Sequence, residues 1–173
     1  DSDDYFETTF LEKAVPILQK NNNVGVVTCY CRRFREGKTI DIFKPAGGDI
    51  TNFLFKTSSL ATTLIRRECF NVVGMYDEKM KNGYEDWEFY IRLTQKWNVH
   101  VIREVLYNYR QSDSSMRLNA LRNHDKNIKA YIFKKHEKLY KLHFDKFIHY
   151  FLSEQESLNS NIERQRKKID FKL

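Results

Sequence analysis

A mixed α/β or α+β layer fold is what this sequence predicts, on three observations. A β-branched and aromatic run at 24–31 has no helical period, apolar residues from Trp87 to Trp97 do have one, and the chain beyond Leu118 contains neither glycine nor proline. The 173 residues, 41% hydrophobic and 31% charged, supply one core and a wetted surface. Six glycines and two prolines exclude collagen-like and linker-rich architectures. No apolar run approaches the ~18 residues of a membrane span.

The elements follow in order. Phe10, Leu11, Ala14, Val15 and Leu18 recur at helical spacing and predict a helix, disturbed at Pro16 and ended by the polar run 19–23. Segment 24–31 is expected as a buried strand, then a basic turn at 32–38 and a short strand at 39–43. Pro45-Ala-Gly-Gly48 is the clearest loop signal, and Asp49 behind it is placed to cap a short helix through Phe53 and Leu54. A strand at 61–65 leads to a helix from Arg67 to Val73 that Gly74 ends, since glycine tolerates a left-handed backbone. Trp87, Tyr90, Ile91, Thr94 and Trp97 share one face of a helix that starts near Glu85. Segments 99–102 and 106–109 read as two short strands. In the tail helix, Ile128, Ile132, Leu139, Phe147 and Phe151 lie opposite Lys134, Lys138 and Lys141, with His136 and His143 on the apolar side as core histidines. The last segment, with Leu152, Leu158 and Ile162, is too sparse to pack strongly alone, and frays or dimerises weakly.

Charge is distributed unevenly. Sixteen basic and sixteen acidic residues balance up to Met116, whereas fourteen face seven beyond it, so the whole net charge of +7 sits in the tail. A basic tail fits a nucleic-acid partner, and equally peripheral docking on an anionic membrane. Cys29, Cys31 and Cys69 are odd in number and lack ligand spacing, so they read as reduced thiols, which favours a cytoplasmic location. Asp1 is not an initiator methionine and 1–4 has no signal-peptide character, so the chain is expected to begin inside a larger protein.

Three constellations could carry chemistry, each with a plainer structural reading beside it. Asp1 and Asp3, one residue apart, suit a hard divalent cation such as Mn²⁺ or Mg²⁺ with positions left open for diphosphate oxygens; as plain structure, such a cluster with Asp4 caps a helix. Glu85 and Asp86 in a first helical turn could take a proton from a hydroxyl nucleophile, or simply complement the helix dipole. Arg110 with Ser114 and Ser115 matches a departing diphosphate, or a solvated loop. Arg66-Arg67 is a weaker anion contact or a solvated helix entry.

The succession of motifs says more than any one of them. Asp-Ser-Asp-Asp-Tyr-Phe, then Ser-Ser-Leu-Ala-Thr-Thr-Leu-Ile-Arg-Arg-Glu-Cys-Phe, Val-Val-Gly-Met-Tyr-Asp-Glu, Gly-Tyr-Glu-Asp-Trp-Glu-Phe-Tyr-Ile-Arg-Leu and Leu-Tyr-Asn-Tyr-Arg resembles glycosyltransferase family 2 in order and spacing. The resemblance starts at the family's DxD motif and implies the C-terminal half of a GT-A domain at 1–116, followed by a basic helical tail at 117–173. It implies an inverting, non-processive transfer of a sugar from a nucleotide diphosphate donor, a uridine one, to a glycan or lipid-linked acceptor in bacterial polysaccharide or glycoconjugate synthesis. Asp1 and Asp3 would then hold the metal and donor diphosphate, Asp86 would be the general base, and Glu85 would place the acceptor. Arg110, Ser114 and Ser115 would meet the diphosphate, and the loop 45–49 would face the acceptor. The family's nucleoside-binding half has no counterpart here, so the 173 residues alone are expected to be inactive. Gln95-Lys-Trp97 lacks the spacing of the processive Gln-x-x-Arg-Trp motif. The alternative is a basic helical module that binds nucleic acid or a partner protein, against which stands the absence of an interleaved aromatic reader pattern. With the enzyme reading come no nucleic acid, a tail resting on the inner face of the membrane, and room for an oligomer.

Overall fold

The computed structural model describes residues 3–60, 62–111 and 125–170, without the side chains of 165–170. Asp1, Ala61, Ser114, Ser115 and Leu118 lie outside the described residues. The chain divides into two compact units, Asp1–Ile132 and Phe133–Leu173.

The first unit is the expected mixture of helix and strand, built on one mixed sheet. Its strands are β1 (Tyr5–Phe6), β2 (Val24–Arg35), β3 (Lys38–Phe43), β4 (Leu64–Ile65) and β5 (Asn98–Arg110). They run in the order β1-β5-β2-β3, with β4 also on β2; β2 and β5 are parallel, and the other pairings are antiparallel. Around the sheet stand α1 (Phe10–Lys20), α2 (Ile50–Phe53), α3 (Arg67–Val73) and α4 (Glu85–Leu93). The continuous apolar run of β2 follows from burial on both faces. Val27, Cys29 and Cys31 pack with Phe10, Ala14 and Leu106, while Val26 joins Phe53, Phe89, Tyr90 and Val99.

Several expectations need correction. The basic turn at 32–38 is mostly strand, because Arg32 donates to the Asn108 Oδ1 at 2.7 Å and Arg33 forks onto Asp41. Only Glu36 and Gly37, with φ of 50° and 76°, make the turn, a hairpin geometry that needs two left-handed residues. The strand at 61–65 shortens to Leu64–Ile65. The two strands at 99–102 and 106–109 are one strand: Ile102 faces Cys29 and Val105 faces Tyr30, so Arg103 and Glu104 are extra residues in a bulge. Their polarity is what breaks the pattern in the sequence, and Glu104 is paired with Lys13. Trp97 falls beyond α4, which stops at Leu93, and Thr94 turns its hydroxyl back onto the Tyr90 carbonyl at 2.6 Å.

Other expectations hold. Asp49 accepts the Thr51 N–H at 2.9 Å and caps α2, and Gly74 closes α3 at φ 81°. All three cysteines are free and buried. Burial pushes the Cys29 thiol up to about 12 and those of Cys31 and Cys69 to about 11. Iodoacetamide at about pH 8 is therefore expected to label none of them before the chain unfolds, because the thiolate is the nucleophile; rapid labelling of the folded protein would contradict this packing.

The tail is helical in three pieces: α5 (Asp125–Lys135), which runs into the second unit, α6 (Glu137–Leu142) and α7 (Phe144–Asp170). His136 and His143 stand at the two breaks, at φ −107° and −110°, and are half-buried. They are junction residues and not the core histidines that the apolar period suggested. In the second unit Phe133, Tyr140 and Phe147 meet edge to face, with Phe133 and Tyr140 centroids 4.9 Å apart. Among the described residues, no helix is long and apolar enough to cross a membrane.

Candidate active site

The site begins where β1 meets the end of β5. Tyr5 and Phe6 pair with Asn108 and Tyr107, which carries the acidic start of the chain to the Arg110 end of β5. Asp4 fastens the junction, accepting the Tyr107 hydroxyl on one oxygen and the Arg110 N–H on the other, both at 2.8 Å. Asp4 is thus a structural clasp with both oxygens committed, and its neighbour Asp3 is exposed. Asp3 and the exposed Arg110 are brought to the same corner of the sheet.

The second acidic pair stands at the start of α4. Gly83 and Tyr84 hold positive φ of 103° and 64°, a sharp entry that presents Glu85 and Asp86 in the first turn, both half-buried. Asp86 accepts the Trp87 N–H at 2.7 Å. Burial first, and then the negative charges of Asp86 and Glu85, raise the Tyr76 phenol above its ordinary value, so this tyrosine lies beside the pair. The pair sits in the first turn of α4, where a negative charge complements the helix dipole.

Glu88, one turn on, plays a different part. It is fully buried, and the Arg92 guanidinium holds both its oxygens at 2.9 to 3.0 Å. Arg92 also donates to the carbonyls of Val73, Gly74 and Met75. This ion pair ties α4 to the segment that leads towards the Glu85-Asp86 turn. Sequence reasoning missed it, although the four-residue spacing of Glu88 and Arg92 was a visible signal.

Leu60, Thr62 and Thr63 bond both to α4 and to Tyr107 of β5. Tyr90 of α4 donates to the Leu60 carbonyl at 2.8 Å, which leaves the Thr63 hydroxyl, 3.1 Å away, to donate to Tyr90. By the same logic Thr62, 3.2 Å from the Tyr107 hydroxyl, donates to it while Tyr107 donates to Asp4. Tyr90 of α4 and Tyr107, the partner of Asp4, thus bond to the neighbouring residues Thr63 and Thr62. On the outer side, Tyr84 donates to Asp125 at 2.6 Å and Tyr131 to Asp77 at 2.7 Å, so α5 lies along the 77–84 loop. Burial pushes the Asp125 carboxyl up, but the Tyr84 hydroxyl and Lys129 outweigh it and hold it below its ordinary value.

One other sequence candidate, Arg66, turns out to be structural. Arg66 spends its guanidinium on the carbonyls of Leu18, Asn21 and Val24. The 45–49 loop is stitched to β5, with Gly48 and Val99 exchanging hydrogen bonds of 2.7 and 2.8 Å. A Cβ on Gly47 would stand 2.4 Å from a Val101 methyl, so glycine is needed there for close approach. Among the described residues, no group of three or more His, Cys, Asp or Glu side chains converges to hold a metal.

No curated protein matches this sequence. Residues 40–144 match the model of the family described as glycosyltransferase-like family 2. The match takes in the Glu85-Asp86 turn, Arg110 and the serine pair, and begins after Asp1 and Asp3. It spans more than half of the chain and agrees with the mixed sheet and helical tail, so the chain belongs to the glycosyltransferase-like family 2.

Proposed function

We propose that this chain carries the acceptor- and diphosphate-facing part of an inverting, non-processive glycosyltransferase that moves a sugar from a uridine diphosphate donor to an acceptor hydroxyl. Residues other than these supply the nucleoside-binding half, so the 173 residues alone do not turn over. The observation that carries the reading is the Glu85-Asp86 turn: two half-buried carboxylates at a helix N-terminus, inside the family match, with the third acid of that helix locked onto Arg92.

Asp86 takes the acceptor proton as the acceptor oxygen attacks the anomeric carbon from the face opposite the diphosphate. The bond to the diphosphate breaks as the new glycosidic bond forms, which inverts the anomeric centre. Glu85 positions the acceptor. Arg110, with Ser114 and Ser115, meets the charge that develops on the departing diphosphate. Asp1 and Asp3 would hold Mn²⁺ or Mg²⁺. Asp3 is exposed beside Asp4, whose oxygens are taken by Tyr107 and Arg110, and a carboxylate pair would leave coordination positions for diphosphate oxygens. When bound, the ion neutralises diphosphate charge.

The test is sugar transfer by the chain joined to a nucleoside-binding half, with Asp3→Asn and Asp86→Asn as variants. Both are expected to lose most of the activity, and Asp3→Asn also its dependence on added Mn²⁺. Unchanged turnover in both would overturn the assignment.

A further inference from the structure

The sequence of α7 carries a seam. Phe144, Ile148, Phe151, Gln155, Leu158 and Ile162 follow one another at alternating steps of four and three residues, and Gln165 and Ile169 continue the series along the same helix. That alternation averages 3.5 residues, the repeat of helices that supercoil around each other, and not the 3.6 of a single surface helix. Ile148, Gln155 and Ile162 occupy the first core position of each heptad, and Phe144, Phe151 and Leu158 the second.

The seam faces solvent within its own unit. Phe144 is 56% exposed, Ile148 38%, Phe151 51%, Leu158 53% and Ile162 51%, with Leu152 beside them at 52%. Six large side chains left roughly half open offer on the order of 100 Å² each. Two copies would therefore bury about 1,000 Å² between them, the lower end of a specific interface. Across a parallel pair the flanking positions set Glu154 against Asn159 and Asn161 against Arg166, so two copies bring no like charges together there.

We infer that a second copy of this chain covers the seam, the two α7 helices running parallel and in register as a two-stranded coiled coil. Isoleucine at the first core position, as at Ile148 and Ile162, with leucine at the second, as at Leu158, favours two strands, and a polar residue between them, as at Gln155, fixes register; Phe144 and Phe151 fill the other second positions. Gln155 then meets its own copy, where an amide can donate and accept in the same layer. An anionic membrane would prefer a broader apolar face flanked by lysines, whereas between Phe151 and Ile162 this seam is flanked by Glu154, Asn159 and Asn161.

Sedimentation equilibrium of the full chain tests this. The mass is expected to rise with concentration from 20.9 kDa towards twice that value, and Leu158→Glu is expected to hold it at the monomer. Leu158 is exposed and remote in sequence from the sheet, so Trp87 fluorescence checks that the fold survives. Ile148→Cys and Gln155→Cys should each self-cross-link on mild oxidation, because the native cysteines are buried. A monomer at every concentration would overturn the inference, and so would one that co-sediments with phosphatidylserine vesicles. Cross-linking at only one of the two positions would overturn the parallel register.

Discussion

Replacing Trp87 by alanine is expected to remove about 4 kcal/mol of stability, a large share of the 5–15 kcal/mol typical of a domain. The side chain is fully buried, touches Tyr84 edge to face at 5.8 Å, and donates its indole N–H to the Phe53 carbonyl. Deletion therefore opens a cavity and also orphans a buried carbonyl. Trp87→Phe separates the two effects: it refills most of the space and leaves the carbonyl unpaired, so a loss of about 1 to 3 kcal/mol is expected. Urea denaturation followed by circular dichroism measures both. Equal stability of Trp87→Ala and the parent would mean that α4 does not anchor on α2 as described.

Glu88→Ala is expected to cost about 3 kcal/mol, because breaking a buried pair leaves an uncompensated charge. The lower end of the range applies, since the Arg92 side chain keeps 18% exposure and three backbone carbonyls nearby. Glu88→Gln keeps an acceptor for Arg92 and should lose less. The pair also ties α4 to the 73–75 segment, so Glu88→Ala is expected to loosen that segment and admit faster amide exchange there. A variant that unfolds as the parent does, with unchanged exchange, would show that the pair is dispensable.

The sequence made some features readable and hid others for physical reasons. Helix α1, the Asp49 cap and the Gly74 stop were legible because each rests on a local rule, the spacing of Phe10 and Ala14, a side-chain acceptor, a positive φ. The single β5 was hidden because Arg103 and Glu104 bulge out of register, and a bulge looks like a break in alternation. The breaks at His136 and His143 were hidden because a junction of helices keeps the apolar period on both sides. At the site, Glu85 and Asp86 stood out as a motif, whereas the clasp role of Asp4 depends on Tyr107 and Arg110, far along the chain. Likewise Arg66 looked like an anion contact until its three carbonyl partners were in view.

The most direct test of the central claim is the turnover number of Asp86→Asn against the parent, in the chain joined to a nucleoside-binding half. Loss of a general base is expected to lower kcat by about 10² to 10⁴ while KM for the acceptor changes little, because asparagine keeps the shape and the first-turn hydrogen bond to Trp87. A kcat equal to that of the parent, in a variant that folds as the parent does, would contradict the assignment of Asp86 as the base.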